Sequence, residues 1–323
     1  VPADTVSTAE PGPFDLPVQA AGSIRIGEGG WKGLTVRNFL ADYELRDNRL
    51  DIRRMTGDFA GGSFSNTASI DLRQPGLAYS VVVTLRGVEM QSLLPALSTA
   101  AANSLYGRLD LNGQVTGRGT RWNNVSRNLS GDLALALADG KLVSPALVKG
   151  FANFLQIPGL DVIAFRDLRG KAHLVNGKAE VDSLLISDRI RLFPRGTLGL
   201  DGSLNLSVDT RLAPELTARI DQRGKLTRYL TDADGWTQIP LLLSGTVQAP
   251  RYGLDPKGVQ AQAGKVLQQE LQRGLEKLLK PKSPPQQEPP PAPQQAFEPA
   301  NPPPGSPTQQ LLDESLKRLF RKR

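Results

Sequence analysis

A hairpin pattern that occurs twice places the strongest constraint on how this chain folds. The stretch FRDLRGKAHLVNGKAEV, residues 165–181, repeats the pattern of VRNFLADYELRDNRLDI, residues 36–52. Each is a short alternating run, a two-residue turn (Asn176-Gly177 or Asp47-Asn48) and a second alternating run. Alternation with a period of two around an Asn, Asp or Gly turn is typical of a β-hairpin. The sequence therefore predicts the same hairpin at two places.

A second motif repeats at nearly the same spacing. LDLNGQV at 109–115 and LLLSGTV at 241–247 share the pattern L-x-L-x-G-x-V, and each follows a hairpin, further strands and a helix-prone insert. These anchors predict two copies of one unit, 36–116 and 165–248, inside repeats that span 16–120 and 121–254. The alternative is that all hairpin-rich chains look alike, because Gly and alternating Leu are common in β proteins.

The predicted fold class is mainly β with a few helices. We expect an elongated, curved, antiparallel-rich sheet that forms a groove from the two repeats, followed by an amphipathic helix at 255–280. Two further helices are predicted. One lies in EMQSLLPALSTAAANSL, with Ser92 as its N-cap and an Ala-rich second half, and the other begins at Ser144-Pro145 and ends before Pro158-Gly159.

Both ends of the chain have the composition of segments that build no core. Residues 1–15 are polar and Pro-rich and are interpreted as a linker that continues something upstream. Residues 281–307 hold 12 of the 25 prolines, which predicts a disordered Pro/Gln-rich linker. Residues 308–323 predict a basic amphipathic segment that docks on a protein partner or an anionic surface. Its docking candidates are Leu312, Leu316, Leu319 and Phe320, with Lys317, Arg318, Arg321, Lys322 and Arg323. A frayed terminus is the alternative interpretation.

Charge and residue types argue against several classes of function. The net charge is +7, and five of those charges lie in 317–323, so the rest of the chain lacks the basic stripe of a nucleic-acid-binding face. There is no cysteine, and His173 is the one histidine, so no metal site is predicted. No phosphate loop, nucleophile elbow or paired-carboxylate spacing is present. We therefore expect no enzyme activity, no cofactor and no catalytic residue.

Three blocks of the chain resemble the C-terminal region of the AsmA-like family of bridge-like lipid transfer proteins, over about 105–279. The family has a strand that ends in Asp-Gly before a short helix, a Phe-x-x-Leu hairpin with a Gly turn, and a Ser-Gly strand that leads into a Pro-Tyr/Arg segment. The matching residues are Asp139-Gly140, Phe165, Leu168, Gly177, Ser244-Gly245 and Pro250-Arg251-Tyr252.

The resemblance implies an envelope protein of Gram-negative bacteria that acts in outer-membrane biogenesis. Its members are anchored to the inner membrane by an N-terminal helix, which lies outside this chain, and carry a periplasmic β-groove for phospholipid movement. The implied localisation is the periplasm, associated with the inner membrane.

A lipid conduit needs a continuous apolar face, and repeated hairpins supply one because every second residue of a strand points to the same side. The groove candidates for phospholipid acyl chains are Leu77, Tyr79, Val81 and Val83, then Leu133, Leu135 and Leu137, then Leu204, Leu206 and Val208. The alternative hypothesis is a structural or assembly module that docks outer-membrane or other envelope proteins through the C-terminal segment.

Overall fold

A computed structural model of the chain describes residues 9–98, 101–220, 230–232 and 234–261. By internal contacts the chain divides into two units, 1–274 and 275–323, and the described residues all belong to the first. The predicted linker at 281–307 and the docking segment at 308–323 lie outside the described residues. So does most of the predicted helix at 255–280, of which residues 256–261 are described and are helical.

Thirteen antiparallel strands form one sheet, in which every strand pairs with its neighbour in the sequence. The strands are β1 (Ala20–Trp31), β2 (Leu34–Arg46), β3 (Arg49–Phe59), β4 (Gly62–Asp71), β5 (Ala78–Glu89), β6 (Leu105–Arg118), β7 (Ser130–Leu142), β8 (Ile163–Val175), β9 (Lys178–Ile186), β10 (Ile190–Gly199), β11 (Ser203–Leu212), β12 (Thr237–Thr246) and β13 (Pro250–Leu254). The first and last strands are not paired to each other, so the sheet is open. The predicted mainly-β, antiparallel fold is confirmed.

The two predicted hairpins are β2–β3 and β8–β9. Their turns have the positive φ angles that a two-residue hairpin turn requires, 50° and 58° at Asp47-Asn48 and 49° and 77° at Asn176-Gly177. The two copies of L-x-L-x-G-x-V lie on β6 and β12. Both pairs of anchors are therefore separated by six strands, which is the spacing expected if the sheet grew by repetition of a six-strand unit.

Helices interrupt this simple meander at four places. They are α1 (Met90–Leu97), α2 (Trp122–Asn128), a π-helical turn (Pro145–Lys149) that continues into α3 (Gly150–Leu155), and α4 (Pro214–Ile220). Because the strands alternate in direction, α1, α3 and α4 lie at one end of the sheet and α2 lies at the other. These are called the α3 end and the α2 end below.

The structure corrects the predicted boundaries of α1. Its N-cap is Glu89, not Ser92, and the helix ends at Leu97 with Ser98 as C-cap. Of the Ala-rich run, residues 99–100 lie outside the described residues, and residues 101–104 form a short 3₁₀ turn and not a continuation of α1. Packing sets this boundary. Because the helix begins at Met90 and not after Ser92, the side chains of Met90 and Leu93 both pack into the core against the sheet.

The predicted start of the second helix is confirmed. Ser144 Oγ accepts a hydrogen bond from the backbone N–H of Leu147 at 3.4 Å, and Pro145 takes the first helical position. Val148, Phe151 and Leu155 form its buried stripe. The helix ends with Gln156 in the left-handed conformation at a φ of 55°, and an unbranched polar residue adopts that conformation at a modest cost.

One face of the sheet, called the inner face below, carries the hydrophobic core. Val88, Leu109, Leu137 and Leu241 lie on it, from four different strands, and each is at most 8% exposed. Buried residues from β2 through β12 belong to a single cluster, so the sheet curves around a shared interior. The outer face carries mainly charged and hydroxyl side chains, with ladders of ion pairs such as Arg195–Asp182 and Arg54–Asp42.

Candidate functional site: an open apolar trough

The inner face is closed over its second half. The segment of α3 starts between β7 and β8 and reaches the last strand, where Phe151 contacts Tyr252 edge-on at 6.3 Å and Phe154 contacts the same ring at 6.2 Å. The Tyr252 hydroxyl donates a hydrogen bond to the Leu147 carbonyl at 2.8 Å. Burial of this phenol raises its pKa to about 12. This helix, called the plug helix below, therefore covers the inner face between the β7–β8 connection and β13.

The first half of the inner face is open. On β1 the apolar side chains Ile24, Ile26 and Trp31 are 47%, 45% and 50% exposed. The inner-face residues of β2 to β5 are mostly half-buried, in contrast to the buried leucines and isoleucines of β9 to β12. Exposed apolar surface of this kind is unusual on a soluble domain unless a ligand or partner covers it.

A cavity of about 620 Å³ lies in this open half. That volume is in the range of small-molecule sites in proteins. The cavity is lined by Ile26, Gly29, Gly30, Trp31, Val36, Phe39, Met55, Phe59, Phe64, Asn66 and Leu85. Its lining holds no charged residue. Its single polar side chain, Asn66, already accepts a hydrogen bond from the Thr84 backbone N–H at 3.0 Å.

Aromatic rings give the cavity its shape. Phe64 lies between Phe39, at a ring separation of 6.4 Å, and Phe59, at 5.5 Å in an edge-to-face arrangement. Gly57 on β3 leaves room for this ring, because a Cβ there would lie 2.8 Å from Phe64. In the β1–β2 turn, the ammonium group of Lys32 lies 5.3 Å from the centre of the ring of Trp31, which lines the cavity. The site thus combines an interior that is apolar apart from Asn66 with a cation beside the Trp31 ring.

The predicted groove residues fall into three sets. Tyr79, Val81 and Val83 are half-buried on the inner face of β5, and Leu133 and Leu135 are half-buried on β7. Leu137, Leu204, Leu206 and Val208 are 8% exposed or less and belong to the protein's own closed core. Leu77 is not part of a strand: it lies in the turn before β5 with a φ of 55°. Lipid contact at any of these residues stays a prediction.

None of the predicted groove residues lines the cavity itself. The reason is that β-bulges break the alternation there, with Asn38 at a φ of 53° in β2 and register shifts beside Leu40 and Met55. The one available signal was the clustering of Trp31, Phe39, Phe59 and Phe64 in a short stretch of a chain that is poor in aromatic residues.

The described residues contain no cluster that could bind a metal ion. Among them no three His, Asp or Glu side chains are grouped closely enough to hold an ion. His173 is exposed and pairs with Asp132 at 2.8 Å on the outer face, and the pKa of His173 is raised chiefly by that hydrogen bond. No helix in the described part of the chain is long and apolar enough to cross a membrane.

Residues 20–184 match the model of the AsmA family, and this stretch is half of the chain. The match covers β1 to most of β9 and therefore includes the whole open half of the sheet. No curated protein and no solved structure is significantly similar to the chain.

Proposed function

The chain belongs to the AsmA family, whose members are associated with the cell envelope, and on that premise we propose that it binds phospholipid acyl chains in the open half of its β-trough. The observation that carries this proposal is the cavity of about 620 Å³ with its apolar lining. Apolar burial is worth about 25 cal/mol per Å², so a long acyl chain gains several kcal/mol by leaving water for such a site.

The open geometry supports conduction as well as binding. A phospholipid has a charged head group that must stay in water while its chains are buried. A trough that is open along β1 to β5 lets chains lie on the inner face with the head group at the rim, where Lys32 is placed to attract a phosphate. We propose that the protein is a non-enzymatic periplasmic part of a lipid path between the inner and outer membranes.

Site-specific photocrosslinking tests where lipid binds. A photoreactive residue is introduced at Met55 or Phe39 in the cavity, at Leu137 in the closed core, or at Val82, which is 43% exposed and lies on the outer face of β5. Phospholipid adducts are expected at Met55 and Phe39 only. Adducts of equal yield at Val82, or their absence at Met55, refute a lipid site in the open half.

Native mass spectrometry of gently purified protein tests the same proposal quantitatively. The wild-type chain should carry phospholipid, and Met55→Glu should lower its occupancy about tenfold or more, because an unpaired carboxylate in an apolar site is costly to desolvate. Val82→Glu is the matched control and should retain lipid at the wild-type level. A wild-type chain that is folded and free of lipid contradicts the proposal.

A further inference from the structure

The helix at the other end of the sheet presents an aromatic side chain to solvent. Among the large apolar residues found exposed, Trp122, the first residue of α2, has the highest exposed fraction, 62%. Asn124 and Val125 are half-buried on the opposite side of the helix, while Asn123 and Arg127 are exposed with Trp122. The exposed face of this short helix is therefore aromatic and basic.

The position of α2 is fixed by close packing. A Cβ on Gly177, in the β8–β9 turn, would lie 3.3 Å from the Ser126 carbonyl oxygen. The Glu10 carboxylate holds the start of the helix: it accepts hydrogen bonds from the Thr120 N–H at 2.9 Å, the Thr120 hydroxyl at 2.7 Å and the Asn124 amide. Trp122 is thus exposed on a well-anchored element and not on a free loop.

Basic residues surround Trp122. Arg118 is the last residue of β6, Arg121 and Arg127 lie in the β6–β7 connection, and Lys178 lines a cleft of about 330 Å³ together with Trp122 and Arg127. None of the four makes an ion pair within 4.0 Å in the part of the chain that the structure describes.

Two of the acids at this end accept hydrogen bonds from neighbouring residues. Glu10 is held by Thr120 and Asn124, and Asp201, across the cleft, accepts a hydrogen bond from the Ser203 N–H at 2.9 Å. The surface around Trp122 therefore has an excess of positive charge that no described acid neutralises through an ion pair.

Further apolar side chains are exposed at the same end. After Glu10 the chain runs along the turns of the α2 end, where the Phe14 N–H donates to the Leu72 carbonyl at 2.8 Å and the Leu16 N–H donates to Asn48 at 2.6 Å. Phe14, Leu16 and Val18 along this segment are 40%, 37% and 51% exposed. One end of the sheet thus presents both apolar and cationic groups.

We propose that the α2 end docks on the surface of an anionic phospholipid bilayer, with Trp122 inserted at the level of the head groups and Arg118, Arg121, Arg127 and Lys178 facing lipid phosphates. Trp favours the membrane–water interface because its ring is apolar and its N–H is polar. Each Lys or Arg near an anionic surface adds attraction. The four bases form too small a charged area for nucleic acid, which needs many phosphate contacts. This docking is independent of lipid binding in the trough.

Tryptophan fluorescence of the full chain tests the insertion directly. Trp31→Phe and Trp236→Phe leave Trp122 as the single emitter. With vesicles of phosphatidylcholine and phosphatidylglycerol, Trp122 emission should shift to the blue and be quenched by brominated lipid. Neutral phosphatidylcholine vesicles should give little binding. Unchanged Trp122 emission on vesicles that have bound the protein refutes the proposal, as does equal binding to neutral vesicles.

Charge variants test the basic groups. The triple variant Arg118→Gln, Arg121→Gln and Arg127→Gln should weaken binding to the anionic vesicles on the order of 100-fold, since each cation near such a surface is worth about 1 kcal/mol. The matched control, Arg25→Gln, Arg86→Gln and Arg189→Gln, removes the same charge from exposed positions away from the α2 end and should bind at close to the wild-type level. An equal loss in both triples refutes docking by the α2 end. Circular dichroism confirms that each variant is folded.

Discussion

Gly140 is a position where the addition of one methyl group should strongly destabilise this fold. It follows Asp139, whose φ is 49°, and the two residues form a β-bulge in β7 opposite Gly107 of β6. The predicted strand does not end at this Asp-Gly pair but continues to Leu142. Gly140 is paired directly with Phe165 on β8, and the Phe165 ring lies across the glycine.

The magnitude follows from the space around Gly140. A Cβ there would lie 2.5 Å from Phe165 Cε2 and in still closer contact with the backbone carbonyl of Tyr106. Unstrained carbon contacts need about 3.5–4.0 Å, so the neighbours would have to move by roughly 1 Å or more. A ring can rotate, but a carbonyl within the sheet cannot. Gly140→Ala should therefore destabilise the protein by about 3 kcal/mol, at the upper end of overpacking effects.

Urea and thermal unfolding followed by circular dichroism measure this loss. For a protein of this size we expect Tm to fall by about 6–12 °C. Gly253→Ala on β13 is the matched control, because no atom lies within 4 Å of the added methyl group, and it should be neutral or stabilising by up to about 1 kcal/mol.

A double mutant separates the two contacts. Adding Phe165→Leu to Gly140→Ala relieves the ring contact but not the contact with the carbonyl, so only part of the stability should return. The reasoning is refuted if Gly140→Ala lies within about 0.5 kcal/mol of wild type, or if Phe165→Leu restores stability completely. Because the plug helix begins shortly after Gly140, amide exchange in 145–155 should also accelerate in the variant.

Two further predictions concern groups with shifted pKa values. Burial raises the pKa of Tyr252 to about 12, so the folded state holds the phenol proton more tightly than the unfolded state. The stability that results is present below pH 10 and is lost between pH 10 and 12. Tyr252→Phe should lower the free energy of unfolding by about 1 kcal/mol at pH 8 through the lost hydrogen bond. The difference in free energy of unfolding between wild type and variant should shrink as the pH rises. A difference that stays constant in urea titrations at pH 8, 10 and 11 contradicts this. Hydrogen bonds from Thr120 and Asn124 lower the pKa of Glu10 to about 2, so its contribution is present above pH 4.5 and lost as the pH falls from 4.5 to 2. Glu10→Gln should speed amide exchange at Thr120 at neutral pH and remove the dependence of this exchange on the ionisation of Glu10. If the exchange rates of wild type and variant are equal, Glu10 does not anchor α2.

Local chemistry determined much of this fold. The turns at Asp47-Asn48 and Asn176-Gly177 indicate hairpins because few residues adopt positive φ angles easily. The alternation of apolar and polar residues predicts the strands on either side. The cap at Ser144 was predictable for the same reason, since the side chain satisfies a backbone N–H only a few residues away. The prediction was wrong where a helix boundary depends on packing between distant residues, as at the N-cap of α1.

The division of the sheet into an open and a closed half was decided by tertiary structure alone. Val81 on β5 and Leu206 on β11 carry the same alternating apolar signature, yet Val81 is half-buried beside an open trough and Leu206 is 6% exposed in the core. The difference arises because α3 crosses the second half to reach Tyr252, about a hundred residues later in the chain. Alternation reports only which side of a strand is apolar, whereas what covers that side is set by contacts between residues far apart in sequence.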